Sequence, residues 1–505
     1  MIRAPTYRSR RVEAPDRIDL DVAEPLLRPI AGESARGMLH LMITGRPEAP
    51  PGAKLAPTPR GGDPLLGHLR EGRVDPLSSF LRWRNECGDI VRLRLAAVTA
   101  HLLCHPRHVR HVLQESAKRF IKPMQGRRNL AGVLGNGLLV SEGGFWLRQR
   151  RIAQPAFHKR RIDAFADRMV IAASAIADEW EDHAASGAPF DVAHDMMRLT
   201  LRVVQETLLG AAPSEDADRI GEAVSLLLHE INARFSRVFN PPQRLPIARN
   251  LRFAESLRVL DENVHRMIAA RRAAPGQDDL LSMLLEARDE ESGEGMDDRQ
   301  LRDEVMTIFL AGHETTANAL SWTFYLLGRH PEVARKLRAE LAEVLGGRPP
   351  TAEDVPSLRY TRMVFSEALR LYPPAWILAR APIEDEELDG LFLPAGARLF
   401  LSPWVTHRHP AIWRDPEGFD PERFADPTAV DRFAFFPFGG GPRLCIGHSF
   451  AMMEGLLVLA TLASRFRLEL VPGHPVTPEP LVTLRPRHGV KVWARRADEQ
   501  PRAVG

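Results

Sequence analysis

The chain has 505 residues, 44% of them hydrophobic and 26% charged, which is enough for a large globular core. Its formal net charge is only +3, and it carries neither a long basic block nor a zinc-finger spacing, which argues against a nucleic-acid role. Three cysteines, Cys87, Cys104 and Cys445, are too few for a disulfide framework and fit a reducing compartment.

Residues 1–60 are rich in Arg, Pro and acidic side chains and read as a poorly ordered or loosely docked arm. The pair Arg10-Arg11 runs into acidic and proline-rich sequence, and Asp16, Asp19 and Asp21 oppose a mitochondrial transit peptide. No run approaches the roughly 18 apolar residues of a membrane span. A cytoplasmic protein without a transmembrane anchor, and a monomer, is expected. The compact body is expected over residues 61–505 as one domain.

Two β-rich runs, at 90–95 and 98–104, predict a hairpin. Helical periodicity then dominates to about residue 345, with predicted helices at 107–113, 145–157, 162–186, 192–209, 214–235, 248–274 and 279–286. A polar break at 289–295 precedes one long helix over 298–329, which would span roughly 45 Å. Asp297 and Gln300 resemble a capping box at its start, and Gly328 and Pro331 close it. After Pro373-Pro374 the pattern is irregular for about seventy residues, a length that is often functional. An apolar helix at 446–466 and β-rich runs at 467–471 and 490–495 end the chain. The fold class is mainly α with small β-sheets.

The strongest chemical signal is Phe438-Gly-Gly-Gly-Pro-Arg-Leu-Cys445-Ile-Gly447. Glycines and a proline make a tight loop that delivers one cysteine to the start of an apolar helix, where the helix dipole and backbone N–H groups favour a thiolate. Within the long helix lies Ala311-Gly312-His313-Glu314-Thr315-Thr316, unfavourable for helix stability, whose hydroxyls can open a local bulge and offer an acid and an alcohol in one groove. His313 has no partner at zinc-binding spacing. Cys87 and Cys104 read as packing residues.

The cysteine loop resembles the haem-binding signature of the cytochrome P-450 superfamily, with Phe, two glycines, a basic residue two before Cys and Gly two after it. The resemblance extends over about residues 64–495. It implies a haem b cofactor with Cys445 as the iron ligand, since a thiolate ligand favours O–O cleavage. Phe438 and Gly447 then shape the loop, and Ala311 and Gly312 line the haem. Glu314 and Thr315 are the implied catalytic pair for proton delivery during oxygen activation. Arg150, Arg380 and Arg443 are implied to bind the haem propionates, assisted by Trp146, because guanidinium forks suit carboxylates. Arg148 and Arg151 belong to a basic surface, or to a docking face for an acidic electron donor.

Glu367 and Arg370, three apart on a helix, can pair, with Arg423 as a third member of a structural network. Pocket candidates are Thr307, Ile308, Ala311, Ala375, Trp376, Ile377 and Leu378. They are mostly apolar, which points to a lipophilic substrate: a fatty acid, terpenoid, steroid or polyketide-like molecule. The resemblance implies a monooxygenase using O2, with electrons from a separate ferredoxin or flavodoxin and its reductase. The rival readings are a peroxygenase or hydroperoxide isomerase of the same fold, a haem gas sensor without turnover, and a helical regulator without haem.

Overall fold

The computed structural model describes residues 49–208, 217–236, 242, 245–276, 279–426 and 428–497. Most of the expected N-terminal arm lies outside the described residues. Its last part is docked: Leu55 bridges Phe392, Arg92 N donates to Pro57 O at 2.8 Å and Thr58 Oγ1 donates to Arg92 O at 2.8 Å.

The helices of seven residues or more are α1 Pro76–Cys87, α2 Met124–Leu134, α3 Gly143–Ala153, α4 Ala166–Ser186, α5 Val192–Val203, α6 Ala217–Ser236, α7 Ala248–Ala273, α8 Leu280–Glu286, α9 Asp298–Arg329, α10 Pro331–Leu345, α11 Arg359–Leu371 and α12 His448–Arg465. The strands are β1 Ile90–Leu95, β2 Val98–Leu103, β3 Phe120–Ile121, β4 Phe190–Asp191, β5 Leu378–Pro382, β6 Glu386–Leu388, β7 Leu391–Leu393, β8 Arg398–Leu401, β9 Phe466–Leu470, β10 Pro478–Pro480, β11 Leu484–Pro486 and β12 Lys491–Arg496.

The predicted hairpin forms as β1 and β2, joined at Ala96 in the left-handed region with φ 55°. It continues into a five-stranded sheet of order β1-β2-β8-β5-β3. Three of those strands come from the stretch read as irregular or from a two-residue segment. Strands of three to five residues leave too short an alternation to stand out from loop sequence. The helix expected at 162–186 breaks into a short turn and α4, and α5 gives way to a π-turn at Val204–Leu208. Residues 209 and 214–216 lie outside the described residues.

Helix α9 organises the molecule. Asp297 Oδ1 accepts from Gln300 N at 2.8 Å, so the Asp297 half of the expected capping box forms, while Gln300 Oε1 accepts from Arg148 at 3.3 Å instead. The helix packs against α5, α7, α11 and α12. From Asp303 to Leu327 it is buried at every position except Ala311, Gly312 and Thr315. A helix buried on all sides is a core helix, and Ala311, Gly312 and Thr315 are the opening in this stretch of it. The expected bulge does not form: α9 is regular α-helix throughout. Thr315 and Thr316 bond back to Ala311 O at 2.7 Å and Gly312 O at 3.3 Å, and Thr200 Oγ1 donates to His313 O at 3.0 Å. The added acceptor load is absorbed without breaking the ladder.

Candidate functional site

The cysteine loop is closed by Cys445 N donating to Phe438 O at 3.0 Å, with a 3-10 turn at Gly441–Arg443 inside it. Gly441 has φ 63°, and a Cβ there would lie 1.7 Å from Leu113 O, so only glycine lets the loop seat on the preceding layer. Cys445 stands three residues ahead of α12. Its side chain is accessible to water yet enclosed by protein, as on the floor of a cavity. Burial pushes its thiol up, while the Gly447 backbone N–H and the charge of Arg150 favour the thiolate. Enclosure without full charge compensation suits a thiolate completed by a metal.

Among the described residues no group of three or more His, Cys, Asp or Glu side chains could hold a bare metal ion. A lone cysteine ligand therefore fits iron already held by a macrocycle. His448, three residues on, packs edge-on against Phe438 with ring centroids 4.5 Å apart.

The expected propionate ligands divide into two places. Arg150 Nη1 donates to Leu444 O at 2.9 Å, next to Cys445. Arg443 stacks 3.7 Å above the Trp146 ring, donates to Ser141 O at 2.9 Å and pairs with Glu142. Arg443 and Arg380 share their surroundings with Lys122 and Arg127, and the carboxylate among these four cations is that of Glu142. Burial holds the Lys122 ammonium well below its usual value and lowers Arg443 to about 10. Arg380 Nη1 donates to the neighbouring Ala379 O at 2.8 Å. Four cations around one carboxylate leave an excess of positive charge, which suits further anions. Lys122, Arg127 and Glu142 carried no sequence signal, since they come from separate segments without a motif.

On the opposite wall the expected pair diverges. Thr315 stands on the open patch beside Ala311 and Gly312. Glu314 is buried and turns to Thr483, whose Oγ1 donates to Glu314 Oε1 at 2.8 Å and takes a bond from Asn318 Nδ2 at 3.1 Å. Burial raises the Glu314 carboxyl pKa against the Thr483 bond and the charge of Arg485. Adjacent residues on a helix point about 100° apart, so acid and alcohol reach the same groove only through intervening groups.

Of the pocket candidates, Ile308 is buried one turn before the open patch, and Thr307 is buried against Gly137, where a Cβ would lie 2.1 Å from Thr307 Oγ1. Ala375 and Leu378 are half-buried, and Leu378 lies 3.7 Å from the Cβ position of Gly439 in the cysteine loop. Trp376 is instead a core residue. Its ring packs 6.0 Å from Phe80, its Nε1 donates to Leu481 O at 2.9 Å, and Ile377 packs against the same cluster. A buried indole goes where its N–H finds an acceptor.

Glu367 and Arg370 are fully buried and bidentate, at 2.6 and 2.7 Å. Arg370 also donates to His407 O, Pro416 O and Gly418 O, and Arg423 Nε reaches Glu367 Oε1 at 3.3 Å. His407, unforeseen from sequence, carries this network to the cysteine loop. Its Nε2 accepts from Phe436 N at 3.0 Å, which leaves Nδ1 to donate to Arg370 O at 3.2 Å. Arg148 and Arg151 are engaged by the loop before α9, with Glu294 at 2.8 Å and Asp289 at 2.9 Å.

Residues 57–492 match the family model described as Cytochrome P450. The chain is 40% identical to "Cyclooctatin synthase" of Streptomyces melanosporofaciens, covering 84% of this chain and 92% of that one. It is 40% identical to "Cyclooctat-9-en-7-ol 5-monooxygenase" of the same organism, over 85% and 92%. It is 37% identical to "Pentalenene oxygenase" of Streptomyces avermitilis, over 85% and 95%. On these matches the chain belongs to the cytochrome P450 family of haem-dependent monooxygenases.

Proposed function

We propose that this enzyme inserts one oxygen atom from O2 into a terpenoid, with Cys445 as the ligand of a haem b iron. The observation that carries the reading is the enclosed Cys445 thiol together with the desolvated cations Lys122, Arg380 and Arg443. The terpenoid class is supported by the apolar pocket candidates, among them Ile308, Ala311 and Leu378, and by the names of the relatives, which concern cyclooctat-9-en-7-ol and pentalenene. A fatty acid, steroid or polyketide-like substrate would meet the same apolar wall but lacks that second support.

When bound, the haem supplies oxygen activation and the oxidising power for a C–H or C=C bond. Cys445 would hold its iron, and Arg443, Arg380, Lys122 and Arg127 would hold its propionates, with Trp146 stacked on Arg443 and Arg150 bracing Leu444. Ala311 offers a small exposed side chain on α9, and Gly312 lets Val204 pack closely against the helix. Thr315 Oγ1 donates to Ala311 O, so its lone pairs point into the cavity and can hold a water there. Glu314, whose carboxyl pKa burial raises, accepts from Thr483 Oγ1 and is the acid next to Thr315 on α9.

The enzyme needs electrons from a redox partner. A ferredoxin or flavodoxin with its reductase is the expected donor to a monomeric, cytoplasmic protein. No helix among the described residues is long and apolar enough to cross a membrane.

The test uses purified protein in three steps. The ferrous–carbonyl complex should show the red-shifted Soret band of thiolate ligation. Cyclic terpenes and terpene alcohols should shift the ferric spectrum at lower concentration than fatty acids or steroids. Turnover should require ferredoxin and ferredoxin reductase. A histidine-type carbonyl spectrum removes Cys445 as ligand, tighter fatty-acid binding removes the terpenoid class, and turnover on NAD(P)H alone removes the separate reductase.

A further inference from the structure

Three segments far apart in sequence meet at Glu142. Its Oε1 accepts from Lys122 N at 3.2 Å, and its Oε2 accepts from the Arg443 guanidinium. The carbonyls just before it hold two more cationic groups: Lys122 Nζ donates to Leu139 O at 2.7 Å and Arg127 Nε to Val140 O at 2.9 Å. Glu142 occupies the position that caps α3, yet its side chain accepts nothing from the first turn of that helix. Capping is therefore not what the carboxylate does. Its side chain is 14% exposed, so its charge acts through a medium far less screening than water.

We propose that Glu142 is a positioning residue for the haem: it fixes Arg443 and the Lys122 segment in the propionate cradle, and its charge opposes reduction of the iron and loosens the haem. The proposal rests on the haem-thiolate reading above. A negative charge near a centre that gains an electron disfavours the reduced state. The same carboxylate competes with two propionates for Arg443, Arg380, Lys122 and Arg127. The cradle thus holds an anion of its own before any cofactor enters.

The experiment compares the purified holoenzyme with Glu142→Gln and Glu142→Ala. Glutamine keeps the shape and an acceptor for Lys122 N but loses the charge. Its midpoint potential should move to more positive values, and haem transfer to an excess of apoglobin should slow severalfold. The ferrous–carbonyl spectrum should stay thiolate-like. In the alanine variant the potential should shift the same way, but haem should leave faster than from the glutamine variant, because nothing holds Arg443 and Lys122. If wild type shows the thiolate band while Glu142→Gln keeps the wild-type potential and haem-transfer rate, or shifts the potential negatively, the proposal falls alone. A wild type without that band sinks the haem-thiolate reading and the proposal together.

Discussion

Two buried charged regions flank the cysteine loop, and they are built on opposite terms. Around Glu367 every charge is answered by the protein: the carboxylate by Arg370, Arg423 and Asp420 N, and the Arg370 guanidinium by Glu367 and three backbone carbonyls. Around Glu142 the cations outnumber the carboxylate, and Arg380 has only its neighbour's carbonyl. A satisfied network holds a loop in place, whereas an unbalanced one marks where a ligand completes the protein. The same side-chain types are therefore balanced in one region and in excess in the other, and the difference lies in how many partners the fold supplies.

The largest effect should come from breaking the satisfied region. Glu367→Ala leaves Arg370 as a buried unpaired charge, a loss of about 3–5 kcal/mol out of a typical stability of about 5–15 kcal/mol. The variant should fail to accumulate as holoprotein, and a normal yield with unchanged melting temperature would reduce the pair to a dispensable contact.

His407→Ala should cost less. It strands the buried Phe436 N–H, at about 1–3 kcal/mol, and frees the approach to the cysteine loop. Thermal unfolding should report the loss, and haem should leave faster than from wild type. A variant with wild-type haem retention would separate the network from the loop.

A pH series sharpens the comparison at a third place. Glu304 on α9 is fully buried, accepts from Leu138 N at 2.9 Å and leaves Oε1 without a partner. Burial raises its carboxyl pKa from 4.5 to about 8. The folded state therefore holds a proton that the unfolded state releases first. Stability from this group is complete below about pH 4.5 and is lost as pH rises towards about 8. Glu304→Gln should remove that slope, so its melting temperature should gain on wild type across this window. Parallel curves would mean that Glu304 is ionised in the fold.

The smallest effect on stability belongs to Thr315→Ala, within about 0.5 kcal/mol, because the hydroxyl faces the cavity and α9 keeps its ladder. Its effect should appear in coupling: product per NAD(P)H consumed should fall and hydrogen peroxide should rise, with Thr316→Ala milder. Equal coupling in wild type and Thr315→Ala would leave Thr315 as a packing residue.

By itself the sequence determined what is local. The cysteine loop is contiguous, so its glycines, Arg443 and Cys445 could be read as one device, and Gly441 does seat on Leu113 O. The cap and length of α9 follow from Asp297 and an apolar pattern long enough to be unambiguous. The Glu367–Arg370 pair follows from helical spacing. Only the tertiary structure decided which neighbours meet from afar. It folded strands β5 to β8 out of a stretch that reads as loop, because three to five residues gain their stability from sheet partners rather than from pattern. It sent Trp376 into the core and turned Glu314 towards Thr483, since a buried polar group follows its partner. Lys122, Arg127, Arg380 and Arg443 came together around Glu142 from four places in the chain. Charges of that kind become a site only when folding removes the water between them.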